Sequence, residues 1–459
     1  MILSYHGRML LRLALLLFLC GLPRLVAQTT VSPSVVDLFA AGDDYFLHVV
    51  ALPGVGGNRT RTFVLYGLTH ALLDFRRTDN DRFAASGGLY VEGIDRDGVI
   101  GGYGNGGDTV RVDDYRATLS RSALLPGVIP LALDPGSYTF GYSVEAGRGS
   151  VGTFSGVTDT IDIPRFGDDV ATFGTPIFLG SPRPGTSPDQ MIAVNADGDL
   201  PFGKRLRALI TATVPGRPFR LNWQLVGIDE AGDLETIVDR GEGRTLSENS
   251  IVVDEIRPVD GELRVMMREL GTSEAARAWI VEGTTGDLPA GTYQLQLELT
   301  AESGTYRDTA SFNVRWIDRP LSLGDPRYAI AALGPIATEE EIDRLAGVGA
   351  SEQRAALDAW WKLQDPTPAT SFNEKMTAYY GRIDYAYFSF ATIGRPDGAA
   401  SDRGRIYVLY GPPTDIERRL DPEGPAREIW TYENRVARRF HFIDRDETGA
   451  YRLVEYYDL

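Results

Sequence analysis

The 459-residue chain is 43% hydrophobic and 24% charged, with a formal charge of −17. That balance suits packed globular domains, about two to four at this length, and it disfavours nucleic acid and anionic membrane surfaces as partners. The single cysteine, Cys20, falls in a segment expected to be removed, which excludes disulfides, thiolate metal sites and cysteine nucleophiles from the mature protein.

The first element is a leader. Arg8 and Arg12 precede the apolar run Leu13–Cys20, Pro23 breaks it, and Ala27 suits a signal peptidase. The run is too short to span a bilayer comfortably. Residues 1–27 therefore read as a signal peptide, with Gln28 as the mature N-terminus and no integral membrane span after cleavage.

From about residue 33 to 320 the chain reads as β-structure. Runs such as Tyr45–Leu52, Thr62–Tyr66, Leu206–Val214 and Phe219–Val226 are β-branched, aromatic or alternating, with Gly, Asp, Asn and Pro between them. Thr272–Trp279 is the one stretch with a helical look. Gly101–Gly107 is glycine-rich without a following helix or lysine, and reads as a flexible loop. Leu133–Tyr138 and Leu288–Tyr293 echo each other: each sets a Pro/Gly turn before a tyrosine that begins a strand. Such a corner, in which the tyrosine hydroxyl bonds back to the turn, belongs to immunoglobulin-like folds. The expectation is two tandem immunoglobulin-like β-sandwich domains, 28–165 and 166–320, joined near Pro164–Pro184. In the second, Gln294, Gln296 and Glu298 alternate with Leu295, Leu297 and Leu299, giving one wet and one dry face.

After Arg319–Pro326 the pattern turns helical. Thr338-Glu339-Glu340-Glu341 has capping-box form. Ser351 offers a cap for a helix carrying Leu357, Trp360 and Trp361, which Asp365-Pro366 ends. A third helix is expected over Asn373–Phe390. Strands are expected at Ile406–Tyr410, Arg427–Tyr432, Arg438–Ile443 and Tyr451–Tyr456. Helices followed by a small antiparallel sheet make an α+β domain, 325–459.

Several runs in this last domain carry a resemblance. They are Trp361 with Asp365–Pro368; Asn373–Tyr380 with Arg382 and Tyr385; Asp402-Arg403-Gly404-Arg405-Ile406-Tyr407; Leu409-Tyr410-Gly411-Pro412-Pro413; Glu428-Ile429-Trp430; and Phe442-Ile443-Asp444. Together they resemble the GWxTD domain of exported bacterial proteins in Bacteroidota and related groups. The name-giving motif falls on Gly398-Ala399-Ala400-Ser401-Asp402, where Ser401 replaces Thr and Ala399 replaces Trp. The resemblance implies export and a β-rich N-terminal region. It brings no secure reaction.

The binding candidates are Asp402, Arg403, Arg405, Tyr410 and Trp430. A carboxylate beside two guanidinium groups can hold an anionic or glycan ligand. The structural alternative has Asp402 capping a turn, Arg405 paired with Glu428 or Asp444, and Arg403 pointing to solvent. Tyr407, Tyr410, Trp430 and Tyr432 read as core or, if exposed, as a stacking platform. No catalytic residue is assigned, since Asp402 lacks an evident acid/base partner. No cofactor or metal is expected. His48, His70 and His441 have no ligand spacing, and no Gly-x-Ser-x-Gly elbow or phosphate loop occurs. The expected role is non-enzymatic: an exported cell-envelope protein in the periplasm, on the outer membrane or outside, contacting protein or glycan. The alternative is a hydrolase or transferase acting on envelope polymers, with Asp402, Arg405 and nearby tyrosines lining its site.

Overall fold

The computed structural model describes residues 44–459 apart from 55–59, 79–81, 122, 147–152, 170, 182–189, 195–197, 230–234, 272–274, 420–423 and 434–435. The leader and its cleavage point lie outside the described residues. The described chain is predominantly β, with several sheets followed by a helical segment and a last small sheet.

Strands Tyr45–Pro53, Thr60–Thr69 and Leu124–Leu131 form a three-stranded antiparallel sheet. Its residues alternate between two cores. Val49, Ala51, Val64, Tyr66 and Leu68 meet Leu89, Val91, Phe140 and Val144 of a six-stranded sheet. Their neighbours Phe46, Val50, Leu52, Phe63 and Leu65 face the other way, onto Leu209, Ile256, Val265 and Ile280. Burial on both faces explains why these strands read as nearly unbroken apolar runs.

Residues 172–315 supply three more sheets, of five, three and five strands. Arg205–Thr213 and Ala276–Asp287 pair in one of them and again divide their side chains. Leu209, Ala278 and Ile280 go to the core just described. Ala208, Ile210, Trp279 and Val281 go to a third core, against Leu221, Leu225, Leu295, Leu297 and Leu299. The helical look of Thr272–Trp279 is thus overturned from Ala276 onward by sheet burial.

Both echoed turns close as the sequence leads one to expect. The Tyr138 hydroxyl donates to the Asp134 carbonyl at 3.0 Å, and the Tyr293 hydroxyl to the Pro289 carbonyl at 2.8 Å. The glycine-rich stretch differs from expectation. It is a strand, Ile100–Val112, paired along its length with Phe83–Asp95. The reason is close packing: a side chain at Gly104 would stand 2.5 Å from Ile129 Cγ2.

His48 lies in the doubly buried sheet beside Gly198. Its Nε2 is buried and takes no hydrogen bond among the described residues. Burial lowers its pKa to about 4. An unfolded histidine titrates near 6.5, so below that pH the unfolded chain binds a proton that the folded chain refuses. Stability is therefore expected to fall by about 1 kcal/mol per pH unit between roughly pH 6.5 and 4, reaching about 2–3 kcal/mol. Urea midpoints across this range, compared with His48→Phe, isolate the effect from the carboxylates. The variant should show a shallower loss, and parallel curves would rule the assignment out.

The C-terminal domain opens with α1 (Pro326–Ala331), α2 (Glu339–Ala346), α3 (Gln353–Lys362) and α4 (Glu374–Ser389). The Thr338/Glu341 capping box is formed as expected. Asn373 caps α4, its side chain accepting from Met376 N at 2.9 Å. At α3 the structure differs: Glu352, not Ser351, is the N-cap position, without a side-chain cap bond. Trp361 sits at the centre of the aromatic packing. Its indole donates to the Tyr380 hydroxyl (3.3 Å), which donates to the Ala329 carbonyl (2.9 Å), tying α3, α4 and α1 together.

Then comes the main correction. The expected strand Ile406–Tyr410 is the end of a helix, α5 (Asp402–Tyr410). Four antiparallel strands follow in sequential order, Asp415–Arg419, Ala426–Tyr432, Arg438–Asp444 and Arg452–Asp458; the first of them was not anticipated from the sequence. Trp430, Tyr432, Phe440 and Phe442 on one face of this sheet join the helices in a single core.

Candidate functional site

The segment 397–411 is organised by backbone contacts. The Asp397 carboxylate accepts from Ala399 N at 2.9 Å, turning the chain. Ser401 is the N-cap of α5, its hydroxyl accepting from Gly404 N at 3.0 Å. A Ser at this place does the work of a Thr. Asp402, in the first turn, is suited to the positive end of the helix, and its Oδ2 accepts from Leu453 N at 2.9 Å. Asp402 thus ties the helix to the last strand.

Two glycines allow this crossing. A Cβ on Gly398 would lie 2.3 Å from the Ala386 carbonyl oxygen, and one on Gly404 2.1 Å from the Gly398 carbonyl oxygen. The start of α5 therefore rests directly on the preceding loop. Ala399, where the motif has Trp, is buried in the same core. At the other end, Arg382 of α4 donates to the carbonyls of Val408 and Leu409 (3.2 and 3.3 Å), as cations do at helix C-termini. Gly411, with φ of 77°, ends the helix before Pro412.

The sequence places Arg405 in the ion pair and Arg403 in solvent. The structure does the reverse. Arg403 donates to Glu428 Oε2 at 3.2 Å and to the Gly449 carbonyl at 3.0 Å. Its guanidinium lies over Tyr451, 4.2 Å from the ring centre, and faces Phe390 at 5.1 Å. Glu428 also accepts from Arg418 Nε (2.9 Å) and from the Trp430 indole (3.2 Å). The side chains of Arg403 and Glu428 are 13% and 5% exposed. Asp444 accepts from Thr448 N and Gly449 N (3.2 and 2.7 Å), which fixes the turn whose carbonyl Arg403 uses. Burial, with the Glu428 charge nearby, pushes the Tyr451 hydroxyl above its ordinary pKa. Arg405 is exposed. A helix explains the exchange, because its period puts residues 403 and 405 on opposite sides.

Tyr410 packs on Tyr432 and Phe440, with ring centres 5.7 and 5.5 Å apart. Tyr407, Trp430 and Tyr432 are buried. Of the five candidates, the structure brings Arg403 and Trp430 together on Glu428. It sends Asp402 to Leu453, Tyr410 into the aromatic core and Arg405 outward. Sequence reasoning missed Tyr451 and Gly449 as partners of Arg403.

Residues 311–458 match the family model of the GWxTD domain. The chain carries a GWxTD domain. Its helices and four-stranded sheet, with the 397–411 crossing, are therefore the structural form of this motif. No curated protein matches the chain. Among solved structures, a family 123 glycoside hydrolase from Clostridium perfringens is similar at 17% identity and a TM-score of 0.16, over 32% of this chain and 29% of that one. A structure reported for manganese lipoxygenase of Gaeumannomyces graminis with part of zonadhesin of Komagataella pastoris is similar at 12% identity and a TM-score of 0.14, over 58% and 93%. This chain thus spans less than a third of the hydrolase's length.

Outside the GWxTD domain, a cleft of about 950 Å³ opens between the β-layers, with His70, Arg111, Lys204, Asp260 and Glu262 among its walls. Among the described residues, no group of three His, Cys, Asp or Glu is placed to hold a metal ion, and no helix is long and apolar enough to cross a membrane.

Proposed function

We propose that the chain is an exported cell-envelope protein that acts by contact with envelope proteins or glycans, without chemistry at the GWxTD motif. The observation that supports this is the commitment of two of the three charged candidates: Asp402 holds Leu453 N, and Arg403 is engaged by Glu428, Gly449 and Tyr451, while Arg405 stands apart from them in solvent. Groups so used fix a fold and have little left to offer a substrate. In this reading the leader 1–27 directs export to the periplasm, outer membrane or exterior. The β-layers of 28–165 and 166–320 are immunoglobulin-like modules, a view supported by the two tyrosine corners. The GWxTD domain, 325–459, follows them.

The test uses the chain beginning at Gln28, immobilised and offered a detergent extract of the envelope and an insoluble wall fraction. Retention of a defined component, with no soluble product released, is the expected result. Release of sugar or peptide ends that stops in Asp402→Asn, with melting unchanged, would favour the hydrolase or transferase alternative. Retention of nothing would overturn the contact reading.

A further inference from the structure

The six-stranded sheet has an outward face on which Tyr90, Tyr103 and Val157 stand exposed and which no sheet or helix among the described residues covers. Strand register sets two rows of side chains across it. One row runs Asn105, Tyr90, Ser143, Ser155, and the next runs Tyr103, Glu92, Gly141, Val157. The inward residues of the glycine-rich strand confirm the facing, because Gly104 and Gly106 abut Ile129 and Tyr66 beneath. Tyr103 is 71% exposed and Tyr90 41%. The Tyr90 hydroxyl donates to Glu92 Oε2 at 3.1 Å, which steadies both side chains. The Asn105 amide and the Tyr103 hydroxyl make no hydrogen bond to the described residues. Gly141 leaves the floor beside Glu92 bare: a side chain there would stand 3.3 Å from Glu92 Oε1.

We infer that this face is a binding site for a neutral polysaccharide, whose sugar rings stack on Tyr90 and Tyr103 and whose hydroxyls donate to the Glu92 carboxylate and bond to the Asn105 amide. Tyr90 and Tyr103 are diagonal neighbours on adjacent strands, roughly 7–8 Å apart. Two aromatic rings at that spacing can each take the apolar face of a sugar ring in a linear chain. An aromatic face offers apolar contact and keeps its hydroxyl for a polar partner. Carboxylate and amide groups between the rings accept and donate to sugar hydroxyls. The charge is decisive for the class. The two rows contain one carboxylate and no cation, so an anionic polymer would meet repulsion without compensation. A protein partner is less well served, since protein interfaces centre on dry, pocketed anchors, whereas the centre here is a carboxylate on a glycine floor. The inference deepens the contact reading above by naming a ligand class, and it places the contact away from the GWxTD domain.

The test is affinity electrophoresis of the full exported chain through gels holding hydroxyethyl cellulose, glucomannan, amylose, laminarin or dextran, with alginate as the anionic control. At least one neutral polymer is expected to retard the protein. Tyr103→Ala and Tyr90→Ala should each weaken that binding about 10-fold, as loss of an anchoring ring does. Tyr103→Phe should keep most of it. Glu92→Gln should weaken binding while leaving circular dichroism unchanged. Retardation by no neutral polymer, equal retardation of the Tyr90→Ala/Tyr103→Ala double variant, or stronger retardation by alginate would each overturn the inference. So would loss of a protein partner in that double variant when sugars fail to elute it. Retention of envelope components by the unaltered chain is read separately, so failure here leaves the contact reading standing.

Discussion

Arg403→Ala is expected to destabilise the GWxTD domain by about 3–4 kcal/mol, because it removes the one buried cation paired with the buried Glu428 charge. Glu428 is 5% exposed, whereas its other arginine, Arg418, is 69% exposed, so that its charge is screened by solvent. Arg418 and the Trp430 indole still donate to the carboxylate, which keeps the cost at the lower end for a broken buried pair. The stacked contacts with Tyr451 and Phe390 are lost as well. Arg403→Lys should fall between, since an ammonium cannot reach Glu428 and Gly449 with one planar fork. Arg405→Ala should change stability by less than about 0.5 kcal/mol, as exposed substitutions do. Urea unfolding followed by tryptophan fluorescence gives the comparison. Equal midpoints for Arg403→Ala and the unaltered chain would show that the cluster contributes nothing.

A still larger effect is expected from the smallest change. Gly404→Ala adds one methyl group at a point 2.1 Å from the Gly398 carbonyl oxygen and 2.7 Å from that of Ala399. Both obstacles are backbone, so no rotamer change relieves the overlap. Either α5 lifts off the loop or the loop moves. The first breaks the Asp402–Leu453 bond, and the second disturbs the Ser401 cap. The expected cost exceeds about 4 kcal/mol, beyond ordinary overpacking. Loss of near-ultraviolet dichroism from the aromatic core, with rapid proteolysis between residues 325 and 459, is the predicted signature. A folded Gly404→Ala domain with unchanged aromatic dichroism would mean that the crossing is looser than described.

The sequence was most legible where one local rule acts alone. The capping box at Thr338, the helix from Asn373 and the two tyrosine turns each follow from a few adjacent residues. It was least legible where a distant surface decides. Ile406-Tyr407-Val408-Leu409-Tyr410 has strand composition, yet the Ser401 cap and the fit of Gly404, Tyr407 and Val408 against the core select a helix. The spacing of those three positions, one face of a helix, was the available signal. Gly102, Gly104 and Gly106 likewise alternate with period two, which is a strand pattern in which the buried side chain is missing. Reading composition before spacing made it a loop. Pairing Arg405 in place of Arg403 comes from the same error, since a strand starting at Ile406 leaves Arg403 in a loop and sets Arg405 at its entrance.

The three-stranded sheet that begins at Tyr45 lends one face to each of two cores. It cannot be peeled away alone, because leaving one core wets the side that closes the other. Tension applied across the β-half must open both seams together. A pull would then be resisted by a thickness of several sheets, acting as laminated board does, and not by one ply at a time.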